Sequence, residues 1–189
     1  VKIQIKPFSA VLLKDFLYFF DRVAFTDNPD WAGCYCYYYH IFCSDAEWDR
    51  RMAKDNRNAT KKLLVSGEMR GFLAYVEGKT IGWCNANRKE NYPRLVNNNE
   101  ICSSGQDSII SVVCFVVAPG FRRRGVARKL LRAVCTDSAK GGYDYVEAYP
   151  RREALSEAHN YHGPLSLYEQ EGFYIHKECD NLTIVRRKL

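Results

Sequence analysis

Ile109-Ile110-Ser111-Val112-Val113-Cys114-Phe115-Val116-Val117-Ala118-Pro119-Gly120-Phe121-Arg122-Arg123-Arg124-Gly125-Val126-Ala127 decides more about this chain than any other stretch. The run from Ile109 to Val117 is β-branched and apolar, as suits a central strand buried on both faces. Pro119 and Gly120 end it. A basic, glycine-containing turn follows, after which apolar residues 126, 130, 131, 134 and 135 recur at helical spacing. A helix start has unpaired N–H groups and a partial positive charge, so it receives phosphate readily. Gly125 lets a ligand approach the backbone, and Arg122, Arg123 and Arg124 add charge. The local reading is a pyrophosphate cradle.

Working outward, 189 residues suffice for one domain, 1–189, with a full core. The composition, 47% hydrophobic and 26% charged, is that of a globular chain. Thirteen tyrosines suit a cleft with polar-tipped aromatic walls, although half-buried packing accounts for many of them. A net charge of +6 is met most simply by a solvated basic surface. An anionic, nucleotide-bearing cofactor is the sharper alternative. Nucleic acid is the weakest, because no helix-turn-helix or zinc pattern appears and phosphate explains the arginines. No run reaches 18 apolar residues and nothing resembles a signal peptide, so the expectation is a soluble, cytoplasmic protein with no membrane partner. With Val1 first, an initiator residue is expected to have been removed or omitted.

Eight cysteines raise the question of a disulfide or metal framework. Cys84, Cys102, Cys114, Cys135 and Cys179 are scattered singly, as reduced core thiols are. Cys34, Cys36 and Cys43 cluster, but no second pair completes a zinc site, so no metal is expected. If their segment is extended, Cys34 and Cys36 share one face, and a reactive thiol near the cleft stays open.

The periodicities predict a strand over 1–6, a helix from Ser9 to about Phe25, and an aromatic segment over 31–42 that reads as strand or irregular loop. Ser44-Asp45-Ala46-Glu47 has capping-box spacing and opens a polar helical stretch to about Met69, with a break expected near Asn56 to Asn58. Residues 72–76 and 80–84 flank Glu77-Gly78-Lys79 as a hairpin. Residues 91–106 read as a connecting loop, then come the central strand and a helix over 125–140. A strand over 143–149, an irregular stretch over 150–162, a short helix over 164–171 and two terminal strands complete an α/β, or α+β, pattern with a mixed sheet.

In this order the pieces resemble the GNAT superfamily of acetyl-CoA-dependent N-acetyltransferases. Val117-Ala118-Pro119 precedes Arg122-Arg123-Arg124-Gly125-Val126-Ala127, similar to the family's Gln/Arg-x-x-Gly-x-Gly/Ala after a strand ending Val-x-Pro. Leu167-Tyr168-Glu169-Gln170-Glu171-Gly172-Phe173 is similar to Leu-Tyr-Glu-Lys-x-Gly-Phe, and residues 144–149 match the strand between them. The resemblance is best over 71–173; residues 1–70 fit in outline. It implies a mostly antiparallel central sheet flanked by helices, with splayed strands forming a CoA groove. Backbone groups of Phe115, Val116 and Val117 would pair with the pantetheine arm. Those from Arg123 to Ala127 would hold the pyrophosphate, with arginine side chains assisting. Tyr168 would protonate the departing thiolate, and a backbone N–H, expected at Val116, would polarise the carbonyl.

Two places depart from the family pattern. Ser111 stands where several relatives carry a glutamate, and serine is no effective base. Water, selection of the neutral amine, Glu147, Glu100 or His40 would replace it, Glu147 being the first choice among the side chains although a structural partner explains a strand carboxylate more readily. Tyr161 stands where many relatives place an asparagine for the pantetheine; Asn160 beside it is the candidate. The expected reaction is direct attack of a primary amine, on a small molecule, upon acetyl-CoA. Tyr35, Tyr37, Tyr38, Tyr39, Trp31, Trp83 and Asn85 are candidates for the acceptor pocket. The alternatives are a protein or peptide acceptor and a CoA-binding sensor without turnover. A homodimer stays open.

Overall fold

The computed structural model describes residues 2–102, 105–153 and 158–189. Seven strands form one sheet in the order β1-β2-β3-β4-β5-β7-β6. They are β1 (Gln4–Pro7), β2 (Gly71–Val76), β3 (Lys79–Arg88), β4 (Ile109–Val117), β5 (Tyr145–Ala148), β6 (Tyr174–Glu178) and β7 (Thr183–Lys188). Every neighbouring pair is antiparallel except β4–β5. The helices are α1 (Leu13–Arg22), α2 (Asp45–Asp49), α3 (Ala53–Ser66), α4 (Pro93–Val96), α5 (Val126–Lys140) and α6 (Leu165–Gln170). The mixed, mostly antiparallel sheet flanked by helices is the architecture the sequence predicts.

Local chemistry explains the elements. Glu77 and Gly78 take the left-handed conformations (φ 49° and 76°) that let a tight turn follow the twist of β2 and β3. Phe16, Phe19 and Phe20 form the inner stripe of α1, and Phe16 meets Trp83 of β3 edge-on at 4.9 Å. α5 buries Val126, Leu130, Leu131 and Val134 and packs on β2 and β3.

One expectation changes and one open alternative is decided. The polar helix breaks at residues 50–52, ahead of Asn56. Ser44 does form a capping box, its N–H donating to Glu47 at 2.8 Å while Glu47 N donates to Ser44 Oγ at 3.3 Å. Asn56 lies inside α3 because its side chain docks it: Oδ1 accepts from Arg51 Nε at 2.6 Å and Nδ2 donates to the Gly33 carbonyl at 2.9 Å. The aromatic segment is irregular, with 3-10 turns at Pro29–Trp31 and Tyr38–His40, and both Tyr35 and Cys36 are left-handed (φ 47° and 55°).

The feature that positions the site lies in β4. It pairs with β5 over Ile109 to Val112 only. On its other edge the register with β3 jumps from Asn85↔Cys114 to Ala86↔Val112, so Val113 is the extra residue of a bulge. A bulge bends its strand. The bend falls where β4 and β5 part, leaving the β5-side edge of residues 113–117 without a paired strand among the described residues.

Candidate active site

The parting strands open a cleft of about 1300 Å³. Cys114, Phe115, Val116 and Val117 form its floor. Ala118 N donates to the Ile81 carbonyl at 2.9 Å, so strand alternation turns the backbone groups of Val116 toward β3 as well. Those of Phe115 and Val117 turn to the cleft, where the Val117 carbonyl accepts from Arg122 Nε at 3.3 Å. The N–H of Val116, expected to polarise the carbonyl, therefore points at β3 and not into the cleft.

One end of the cleft is the start of α5. Arg123 (φ 57°) and Gly125 (φ 77°) are both left-handed, a backbone path that gathers successive N–H groups into a concavity for anions. A Cβ at Gly125 would meet nothing within 4 Å, so the conformation, not crowding, calls for glycine. Arg122, Arg123, Gly125, Val126, Ala127 and Arg128 line this end. The Arg122 guanidinium pairs with Asp27 and holds its carboxyl below the usual range. Arg124 is not in the lining; its guanidinium lies 5.8 Å from the Phe121 ring. Residues 113–117 and the helix start thus form a continuous track with an unpaired strand edge, fit for an extended chain ending in phosphates.

The other end is aromatic and carries charges of both signs. Trp31, Tyr38, Tyr39, Trp48 and Tyr161 line it with Asp30, Asp45, Asp49, Arg51 and Arg151. Of the expected acceptor residues, Trp31, Tyr38 and Tyr39 face the cleft. Tyr35 is buried with its hydroxyl donating to Asp21 at 2.7 Å, and Trp83 is core. Tyr37 packs beneath Arg51, 5.0 Å from its guanidinium. Asn85 is spent inside, its Nδ2 reaching the Cys36 carbonyl at 3.3 Å and His40 Nε2 at 3.1 Å. Sequence reading missed Trp48, Asp30, Asp49 and Arg151; the first lies on the cap-started helix, where its spacing gave the only signal.

Glu147 does not reach this cleft. It is fully buried, its Oε1 accepting from Lys89 Nζ and Tyr149 hydroxyl (2.7 Å each) and its Oε2 from Arg186 Nε at 2.6 Å. It lines a separate pocket of about 360 Å³ with His176 and Asp107. The Tyr149 hydroxyl also meets Ser111 Oγ at 2.6 Å, so Ser111 and Glu147 belong to one buried chain of polar groups. A carboxylate with both oxygens so engaged, outside the cleft, cannot take a proton from an amine within it; the expectation for Glu147 is corrected. Glu100 lines the same separate pocket, and His40 accepts from Asn85 in the interior, burial pulling it down to about 4.

Tyr168 is fully buried and donates to the His162 carbonyl. Burial pushes its hydroxyl well above the ordinary tyrosine range. Its ring lies behind Gly163 of the cleft wall: a Cβ there would come to 3.4 Å from both Tyr168 and Phe115. Asn160 is exposed on the cleft rim, its carbonyl accepting from Gly163 N at 2.8 Å. Tyr39 hydroxyl sits 2.9 Å from Nε2 of His162, a buried ring held down to about 3 by burial and by Arg151.

A model of the acetyltransferase (GNAT) domain matches residues 67–175, more than half of the chain. No curated protein sequence matches significantly. Among solved structures, a PaiA N-acetyltransferase from Thermoplasma acidophilum in complex with coenzyme A is similar over 100% of both chains, with a TM-score of 0.60 at 14% identity. The NatC complex bound to Gag peptide and CoA superposes at a TM-score of 0.56 and 14% identity over 100% of this chain and 99% of that one. An aminoglycoside N-acetyltransferase, AAC(6')-Iy, in complex with CoA gives 0.53 at 19% identity over 95% and 92%. At such identities the likeness speaks for the fold alone, while the domain match carries the family. The bulged, parting strand, the glycine-led helix start and the matched domain lead to one conclusion: the chain belongs to the GNAT acetyltransferases and is an acyltransferase.

Proposed function

We propose that this protein moves an acetyl group from acetyl-CoA to the primary amine of a small cationic molecule by direct attack. The observation that carries the reading is the track from the unpaired edge of Phe115–Val117 to the left-handed Arg123–Gly125 turn. The pantetheine arm lies along that edge as an added strand, pairing with Phe115 and Val117. The pyrophosphate rests on the N–H groups of Arg123 to Ala127, with Arg122, Arg123, Arg124 and Arg128 supplying positive potential. Asn160 closes the rim over the arm. The Phe115 N–H polarises the thioester carbonyl, being nearest the bulge where the strands part.

The acceptor enters from the aromatic end. Trp31 and Trp48 line that end as aromatic surface for a cation, and Asp30 and Asp49 offer charge. This supports a small amine over a neutral acceptor. Glu147, the carboxylate expected to replace the absent strand glutamate, stands outside the cleft, so the ammonium gives its proton to water in the open cleft. Tyr168 is assigned to the departing thiolate: from behind Gly163 of the cleft wall it must exchange its bond to the His162 carbonyl for one to sulfur. Transfer then depends mainly on holding amine and thioester in line.

The test is acetyl-CoA turnover against a panel of small diamines, neutral amines and peptides, with products identified by mass. Acetylated diamines in preference to the others are expected. Tight CoA binding without turnover on any member would favour a sensor, acetylated peptides alone would overturn the small-molecule acceptor, and failure to bind CoA would overturn the whole reading.

A further inference from the structure

At the floor of the cleft two thiols face each other: Cys36 Sγ donates to Cys114 Sγ at 3.2 Å. Cys36 comes from the irregular segment that walls the acceptor end, and Cys114 from the bent half of β4, next to the bulge. Both line the cleft, and the half-buried Cys34 lines it beside them. The approach is held by structure on each side. Cys36 is left-handed at φ 55°, a conformation that a non-glycine residue keeps only where its surroundings impose it. Asn85, directly opposite Cys114 on β3, donates to the Cys36 carbonyl at 3.3 Å. Thus the segment is pinned to the sheet at the position of the pair. The reaction described above uses neither sulfur.

We propose that Cys36 and Cys114 are a redox modification site, forming a reversible disulfide in the presence of a hydroperoxide and thereby switching the cleft off. The peroxide oxidises one thiol to a sulfenic acid and leaves as water or an alcohol. The second thiol attacks that sulfur, the S–S bond forms and water departs, so two thiols are oxidised and one peroxide is reduced. Contraction from 3.2 Å to about 2.0 Å draws the acceptor wall toward β4. That distance matters where amine and thioester must align, since a misplacement of about 1 Å costs on the order of a hundredfold in rate. Burial pushes the Cys36 thiol well above its ordinary range, and Cys34 up to about 12. Cys36 is therefore a slow nucleophile, and the bond forms under a sustained excess of peroxide, favoured by the approach of the two sulfurs. The switch rests on the acetyltransferase reading, but the bond itself does not.

The experiment treats the full chain with hydrogen peroxide, with and without coenzyme A, digests it without reductant and maps the cross-linked peptides by mass. A Cys36–Cys114 cross-link is expected, suppressed by CoA, together with a rise in Tm of roughly 5–15 °C. Acetyl transfer falls at least about tenfold and returns with a phosphine reductant. In Cys36→Ser the ratio of activity after to before peroxide stays near one; if that variant does not fold, the peptide map of the unaltered chain decides whether the bond forms. Oxidation confined to the exposed Cys102, or a cross-link through Cys34 instead, overturns the site. A Cys36–Cys114 cross-link that leaves turnover unchanged overturns the switch. A chain that cross-links yet transfers no acetyl group fails the proposed function alone.

Discussion

Two buried oxygen-bearing side chains show how neighbours decide what a residue does. The carboxylate of Glu147 and the phenol of Tyr168 are each fully buried, but one balances two cations and the other binds one carbonyl. Glu147→Gln leaves Lys89 and Arg186 uncompensated and is expected to cost about 3–5 kcal/mol in urea unfolding, with the pH profile of turnover per folded molecule unmoved. Tyr168→Phe strands the His162 carbonyl, a loss of about 1–3 kcal/mol, yet lowers kcat at least about tenfold. Should kcat survive that change across pH, Tyr168 is a strut and not the acid. Glu147 could not be placed from local sequence because its partner Arg186 stands opposite it only in the β5–β7 register, 39 residues away. Gly125 was legible because one residue's φ decides its role.

Among the elements, β4 and α5 follow their composition closely, since a β-branched run and an apolar helical stripe each select one period. α2 is different. At five residues it has no stability of its own and relies on the Ser44–Glu47 box and on packing. It nevertheless carries Trp48 and Asp49 into the cleft. Ser44→Ala, worth about 1 kcal/mol of cap, should therefore raise the acceptor KM several-fold while leaving the acetyl-CoA KM nearly unchanged. Steady-state kinetics with each substrate varied in turn checks this; equal effects on both would mean that α2 does not shape the acceptor end. The Val113 bulge had no sequence signal, because an extra residue within a uniform apolar run is visible only when its partner strand is known.

Across the whole molecule, the buried His162 and the half-buried His40 are held as neutral rings, with values lowered by burial to about 3 and about 4. The unfolded chain binds a proton at each near pH 6.5, whereas the folded chain does not until far lower, so the unfolded state holds more protons between those limits. Stability consequently rises with pH through that window and falls on acidification from 6.5 toward 4, by about 1.4 kcal/mol per unit for each histidine. Urea midpoints at pH 7, 6 and 5 should decline, and His40→Gln, which can still accept from Asn85, should flatten the decline by about half. A flat profile would mean that the rings are solvated. Sequence alone determined the strand, the glycine-led helix start, the hairpin and the tyrosine helix, because each is set by side-chain period or by a single φ within a few residues. Tertiary structure decided where β4 leaves β5, which tyrosines face the cleft, why Glu147 is locked away and that two cysteines 78 positions apart touch. Those depend on register and on which distant groups share a buried volume, and no local pattern carries that information.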